Sequence, residues 1–515
     1  MSEYAPAPDP EVCFNTARIL LEQMIVAARE HGASGDWSAN TAEMAVVGDG
    51  RAVELAVLQG FFDARAAAEV DAHCAGKLAA PIDAAGVRHG RCESGHLRRQ
   101  CTTLGPVSVH RLAFRAPHAG NLYLADEQLN LPPGLHSWPV AKLAAIESAR
   151  GSFHDAAEAL TRACGAPVAA PQAVRAMAIA SAADFAAFYD QSAPMMSTAK
   201  TLLVLTVDGK GIVMRPEDLR EDTRRKAERA AKAGRLADGD RPNRKRMATV
   251  GAVYDAEPAP RRPHDIITLA KAAGKKKRKE KDKKSRKKRP GPKAVRKWLT
   301  ASIAADAADV IAAVFDQAEV RDPGHLRTWV VLVDGAIPQI DAIRAEAAKR
   351  GIDIHLVIDF IHVLQYLNTA ARVLHGDGDE TATAVAEHAL TVLNGRSGNV
   401  ADELDHAASN TRLGPEDRKK IGDTVTYLRN KHDWLRYDTA LAAGWPIASG
   451  VIEGACRHLI ADRLDITGAR WSLEGAEAVL KLRALITNGD LDRYWTFHLE
   501  QERRRNHQSR YQLAA

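Results

Sequence analysis

"TWVVLVDG", residues 328–335, is the stretch on which the fold turns. An apolar, largely β-branched run stops there on Asp-Gly. A run this short, bounded by a turn signal, reads as a buried strand rather than a helix. The same ending occurs in "LLVLTVDGKG" (202–211), inside the strand candidate "TLLVLTVDGKGIVM" (201–214), and "HLVID" (355–359) closes on another aspartate. "RMATVGAVYDAEP" (246–258) reads as a further strand. Between the strands, "AVRKWLTASIAADAADVIAAVFDQAEVR" (294–321) reads as an amphipathic helix and "IPQIDAIRAEAAKRG" (337–351) as a second. Strands alternating with helices predict an α/β sheet with parallel pairs. Ligands of such sheets sit beyond the carboxyl ends of the strands. Asp208, Asp334 and Asp359 are each expected where a strand ends. The glycines after Asp208 and Asp334 let the backbone turn sharply.

Outward from this core the texture changes. From about Leu364 to Ala443 the patterns are helical, punctuated by Gly, Asn and Pro. "IASGVIEGACRHLIADRLD" (447–465) then opens another helix, with Glu453 near its start. Toward the N-terminus, "TARILLEQMIVAARE" (16–30) and "ELAVLQGFFDARAAAEVDAHCAGKLAA" (54–80) are helical, and "LRRQCTTLGPVSVHRLAFRAP" (97–117) reads as a hairpin. In residues 152–189 a helix, a Gly turn and a helix starting at or just after Pro171 have the outline of a helix-turn-helix. An ordinary αα-hairpin has that outline too.

The chain has 515 residues, 46% of them hydrophobic, enough for a sizeable core and roughly two to four domains. Its start has no basic segment followed by an apolar core, and no apolar run is long enough to span a bilayer. A cytoplasmic protein with no membrane partner is therefore expected. The cysteines form no C-x-x-C pair, so free thiols are expected. Cys92, His96 and Cys101 offer three ligand types without a fourth, a weak zinc signal. No G-x-x-x-x-G-K-[ST] loop occurs, which speaks against an ATP-dependent enzyme. The net charge is only +6, but cations concentrate in "KKKRKEKDKKSRKKR" (275–289), in residues 220–246 and in "ERRRNHQSRY" (502–511). Such segments bind phosphates through counterion release without needing a fold.

Several carboxylates in one place repel one another, and a divalent cation relieves that repulsion. Mg2+ takes a few carboxylates plus water and phosphate oxygens. Acidic strand ends, a late Glu on a helix and basic segments together point to metal-dependent chemistry on nucleic acid. A simple turn accounts for any single Asp-Gly. Periodicity by itself does not single out Glu453 among the later acidic residues.

A family resemblance narrows these readings. "TVDGKGIVMRPEDLR" (206–220), "KRMATVGAVYDAEP" (245–258), "VVLVDG" (330–335), "HLVIDFIHVLQYL" (355–367) and "SGVIEGACRHLIADRLDITGARWSLEGAEAVLKLRAL" (449–485) resemble the DDE transposases of bacterial insertion sequences. More narrowly they resemble the Kra-four family of the Mutator-like group. The resemblance implies an RNase H-like catalytic core, a mixed sheet flanked by helices, with an all-helical insertion and a mainly helical N-terminal DNA-binding region. It implies Asp208, Asp334 and Glu453 as the catalytic residues, holding two Mg2+ ions, with Mn2+ as a substitute. It matches an Asp-x-x-His signature to Asp359 and His362. Arg457, Arg470, Trp471 and Lys210 are further candidates for DNA contact or support of the site. Three positions depart from the family pattern. Arg115 and His118 stand about where a C-x-x-C pair is common, and Asn368 where Trp is common.

The expected organisation is an N-terminal helical region with a hairpin (1–130) and a helix-turn-helix-like region (131–195). The core follows in two parts (196–363 and 446–490), the first with a basic insert at about 216–295. A helical segment (364–445) lies between the parts, and a basic tail (491–515) ends the chain. The implied partners are terminal inverted repeats and target DNA, with a homodimer or higher oligomer pairing two ends near the nucleoid. The alternatives are an RNase H-fold nuclease or resolvase without strand transfer, and an inactive DNA-binding derivative.

Overall fold

The structure is a computed structural model that describes residues 11–193, 200–233, 244–268 and 288–512. The basic run 275–289 thus lies outside the described residues except for Lys288 and Arg289. Residues 234–243 of the earlier basic stretch also lie outside them. The chain divides into two units, Met1–Phe188 with Gly489–Ala515, and Tyr189–Asn488. Among the described residues no helix is long and apolar enough to cross a membrane.

In the first unit, helices α1 (Asn15–Ser34) and α2 (Ala39–Cys74) pack together. Ser38 caps α2 by accepting from the Thr41 amide. The helix starts well before Glu54, where its apolar pattern begins, and carries Gly48 and Gly50 inside it. The hairpin β1 (Arg91–Cys101) and β2 (Pro106–Arg115) follows, antiparallel as its alternation predicts. Its Val107 and Val109 are buried with Phe62 of α2 and with Leu131.

Five helices come next: α3 (Leu124–Gln128), α4 (Trp138–Arg150), α5 (Phe153–Cys164), α6 (Pro171–Ala180) and α7 (Phe185–Asp190). A capping box of Ser152 and Asp155 opens α5, and α6 starts on Pro171. Val140, Ala144, Leu160, Cys164 and Val174 make the small core of α4, α5 and α6. The residues expected as a basic tail instead form the C-terminal helix Leu491–Asn506, which buries Tyr494, Trp495 and His498. Its arginines mask an apolar face in the sequence.

The second unit is mixed α/β. Its elements in order are β3 (Leu202–Val213), α8 (Glu221–Ala233), β4 (Lys245–Ala256), α9 (Pro263–Ile266), β5 (Val295–Ser302), α10 (Ala307–Arg321), β6 (Trp329–Val333), α11 (Ile337–Arg350) and β7 (His355–Ile358). The five strands form one sheet in the order β5-β4-β3-β6-β7. Strands β5, β4 and β3 are mutually antiparallel, while β6 and β7 run parallel to β3.

Two expectations fail here. Asp208 does not end its strand: β3 runs on to Val213 because β4 pairs with it along its whole length, Asp208 opposite Val250. And residues 295–302, read as the start of a helix, are strand β5. "VRKWLTAS" is short and carries β-formers Val, Trp and Thr, and pairing with β4 decides the outcome over helical periodicity. The helix proper, α10, begins only after the Asp306 capping box.

The sheet is buried on both faces, which is why β3 and β6 read as continuous apolar runs. Helices α10 and α11 supply Val314, Phe315, Ile340 and Ile343 to the core. Gly251 of β4 lets α10 come close, since a Cβ there would fall 2.4 Å from Val314 Cγ2. At the end of β4 the buried Asp255 is held by Arg296 (2.7 Å), Arg321 (3.4 Å) and Arg327 (2.6 Å).

After β7 come α12 (Phe360–His375), α13 (Asp379–Leu393), α14 (Ser397–Asn410), α15 (Pro415–Asn430) and α16 (Tyr437–Ala442), with no strand among the described residues of this stretch. The chain closes on the core with α17 (Gly450–Ala455), a π-helical stretch (Cys456–Ala461), α18 (Asp462–Leu464) and α19 (Leu473–Asn488).

Candidate active site

The parallel strands define a row. Thr206 of β3 pairs with Leu332 of β6, so two residues on, Asp208 stands level with Asp334. Val333 pairs with Ile358 of β7, so Asp334 stands level with Asp359, whose amide donates to the Val333 carbonyl at 2.8 Å. Neighbouring strands lie about 4.8 Å apart, which brings these carboxyl-bearing positions side by side.

Each aspartate meets a different environment. Asp334 is half-buried just past β6, and its Oδ1 accepts from the Ala336 amide at 2.9 Å, closing a tight turn. Gly335 makes that turn with φ +96. A Cβ there would lie 3.2 Å from Tyr427 Oη and 3.3 Å from Lys431 Nζ. Asp208 is also half-buried, and its Oδ1 accepts from the Gly209 amide at 2.6 Å. Burial raises its carboxyl above the ordinary range and the charge of Asp334 adds to that, while Gly209, Cys456 and His362 oppose.

Asp359 does not face outward. It is buried, with Oδ1 accepting from Ile361 N (2.7 Å) to start α12 and Oδ2 accepting from both the amide (2.9 Å) and the hydroxyl of Ser449. Ser449 is the residue from which α17 departs, and the Glu453 amide donates back to the Ser449 carbonyl at 3.1 Å. Asp359 therefore ties the edge of the sheet to the helix that carries Glu453.

Glu453 itself is exposed. One turn on, the buried Cys456 Sγ–H donates to Asp208 Oδ2 at 3.5 Å, bridging β3 and this helix. Burial pushes the Cys456 thiol far up, and Asp208 and Glu453 push it further, so it stays a neutral donor. Asp208, Asp334 and Glu453 do not form a closed triplet. Among the described residues the one set of three ligand atoms within 4.8 Å of each other is Asp184, His498 and Glu502, in the other unit. Those donors are engaged. His498 Nδ1 faces Asp184 at 2.7 Å, and Arg505 reaches both Asp184 (2.6 Å) and Glu502.

The remaining candidates scatter around the row. His362 is half-buried and its charge favours ionised Asp208. Lys210 is half-buried and acts electrostatically on Cys456. Arg457 is exposed, 3.7 Å from Asp462, and Arg470 is exposed. Trp471 is buried: its backbone pairs with the end of β3, its Nε1 donates to Leu464 O at 3.0 Å, and Arg463 lies 4.5 Å over its ring. It supports the strand that carries Asp208, with one of this chain's own arginines stacked on the ring. Cys92 and His96 lie along β1 with Cys101 and form no such triplet among the described residues.

Sequence reasoning missed Cys456, Ser449, Tyr427 and Lys431. Only the spacing from Glu453 to Cys456, one helical turn, was a signal. The other contacts join residues far apart in the chain. The chain matches no protein-family model and no curated protein.

Proposed function

We propose that the chain is a DDE transposase of the Kra-four type, with an RNase H-like core in its second unit and the stretch from α12 to α16 as its helical insertion. The observation that carries this reading is the row itself. Asp208 and Asp334 stand level on adjacent parallel strands, close enough that the charge of Asp334 raises the Asp208 carboxyl. The mixed sheet flanked by helices fits the expected core.

The donor types suit a hard divalent cation, while the three carboxylates are not all gathered within 4.8 Å of one another. Two half-buried carboxylates stand side by side, and a third, Glu453, comes from a helix tied to the same sheet edge through Asp359 and Ser449. When bound, Mg2+ or Mn2+ supplies Lewis acidity for the attack of water or a 3′-hydroxyl on a phosphodiester. The chain's own residues prepare the site. The Cys456 thiol orients Asp208 Oδ2, the Ala336 amide orients Asp334 Oδ1, and His362 favours the ionised form of Asp208. In this reading the N-terminal half, residues 150–190 above all, recognises the terminal inverted repeats of double-stranded DNA. The basic segments hold backbone phosphates, and a dimer or larger assembly pairs the two ends.

The test is end cleavage and joining in vitro with inverted-repeat DNA and Mg2+. Asp208→Asn, Asp334→Asn and Glu453→Gln are each expected to cut both steps by about 100-fold or more. Undiminished cleavage by Asp334→Asn sinks the assignment. Cleavage without joining by the unaltered chain supports a nuclease or resolvase instead.

A further inference from the structure

The last turn of α15 reaches the Asp334–Gly335 turn. Tyr427 Oη donates to the Asp334 carbonyl at 3.4 Å, and Lys431 Nζ donates to the Gly335 carbonyl. These are consecutive carbonyls, gripped by residues one helical turn apart. Lys431 is only 9% exposed, so its ammonium is committed to this contact. It lies 5.0 Å over the Tyr427 ring, which in turn stacks on Tyr366 of α12 at 4.0 Å. Thr424 Oγ1 donates to the Tyr366 carbonyl at 3.3 Å and completes the brace. The turn is closely packed: Gly335 holds φ +96, and a Cβ there would make tight contacts at 3.2 Å with Tyr427 Oη and 3.3 Å with Lys431 Nζ.

We infer that Tyr427 and Lys431 are positioning residues that fix the Asp334 carboxylate by clamping the carbonyls of residues 334 and 335, so that the helical stretch α12–α16 sets the affinity of the centre for divalent cations. The inference rests on the proposed reading of Asp334 as a metal ligand. It gives that stretch a role at the centre without contributing a ligand. Outer-shell partners that hold a ligand in place are commonly worth about 10–100-fold in metal affinity.

The experiment is titration of the full chain with Mn2+ in the absence of DNA, with free Mn2+ read by electron paramagnetic resonance. Lys431→Met is expected to weaken Mn2+ binding by about 10-fold, and Tyr427→Phe to weaken it in the same direction. Removing a nearby positive charge would by itself tighten cation binding, so the direction separates positioning from simple electrostatics. Tyr427→Phe removes one hydroxyl and keeps the ring stack, which covers a folding failure of Lys431→Met. Val425→Ala, a buried change in the same helix away from the clamp, is expected to lower the thermal midpoint and leave Mn2+ affinity unchanged. Asp334-dependent Mn2+ binding that neither clamp variant weakens, or that Lys431→Met tightens, overturns the inference alone. Failure of the unaltered chain to bind Mn2+, or equal binding by Asp334→Asn, overturns it together with the metal-site reading.

Discussion

Burial, and next the charge of Asp334, hold the Asp208 carboxyl above its usual value. The sign follows from linkage. A carboxyl raised in the folded state contributes stability that is full below its unfolded value and lost as pH rises through the folded value. Where it is ionised, Asp208 therefore works against folding. Asp208→Asn should raise the thermal midpoint of the metal-free chain by about 1–3 °C near pH 7. The gain should shrink on acidification. A midpoint lowered near neutrality would show that the Gly209 and Cys456 contacts outweigh the burial.

Among elements, α17 is tied to the edge of the sheet through Asp359 and Ser449. Asp359 closes β7, starts α12 and receives both the amide and the hydroxyl of Ser449, so one carboxylate joins three elements. Ser449→Ala leaves the amide contact and removes the hydroxyl, which should cost about 1–2 kcal/mol in urea unfolding. No change in the unfolding midpoint would mean that this carboxylate is satisfied without the Ser449 hydroxyl. Strand β5 makes the complementary point. "VRKWLTAS" carries no strong helix-breaking residue, and the free edge of β4 makes it a strand.

At the scale of the whole molecule, the two units carry different pH liabilities. In the first unit, burial lowers the pKa of His498 and of His507. Asp184 opposes the shift at His498, and Arg505 reinforces it. A depressed histidine contributes stability above its unfolded value and loses it as pH falls through the folded value. The window therefore opens below the ordinary 6.5. Between about pH 7.5 and 5.5 the thermal midpoint should fall more steeply for the unaltered chain than for His498→Gln. Equal slopes would show that the Asp184 contact cancels the burial. The C-terminal helix that carries His498 was legible only as a basic run, because its apolar contacts are spread among arginines.

The sequence by itself determined the strands that end near acidic residues, the hairpin, the Pro171 helix start and the strandless stretch after β7. Those follow from local chemistry, namely β-branched apolar runs, turn glycines, caps and helical periodicity. It also pointed to Asp208 and Asp334, because an apolar run that stops on Asp-Gly is a local signal. Only the tertiary structure decided that 295–302 is a strand, and that Asp208, Asp334 and Asp359 share one level. Only it assigned Asp359 to Ser449, Cys456 to Asp208, and Tyr427 with Lys431 to the Asp334 turn. The physical reason is that register and long-range hydrogen bonds depend on which surfaces meet, and no window of adjacent residues carries that information.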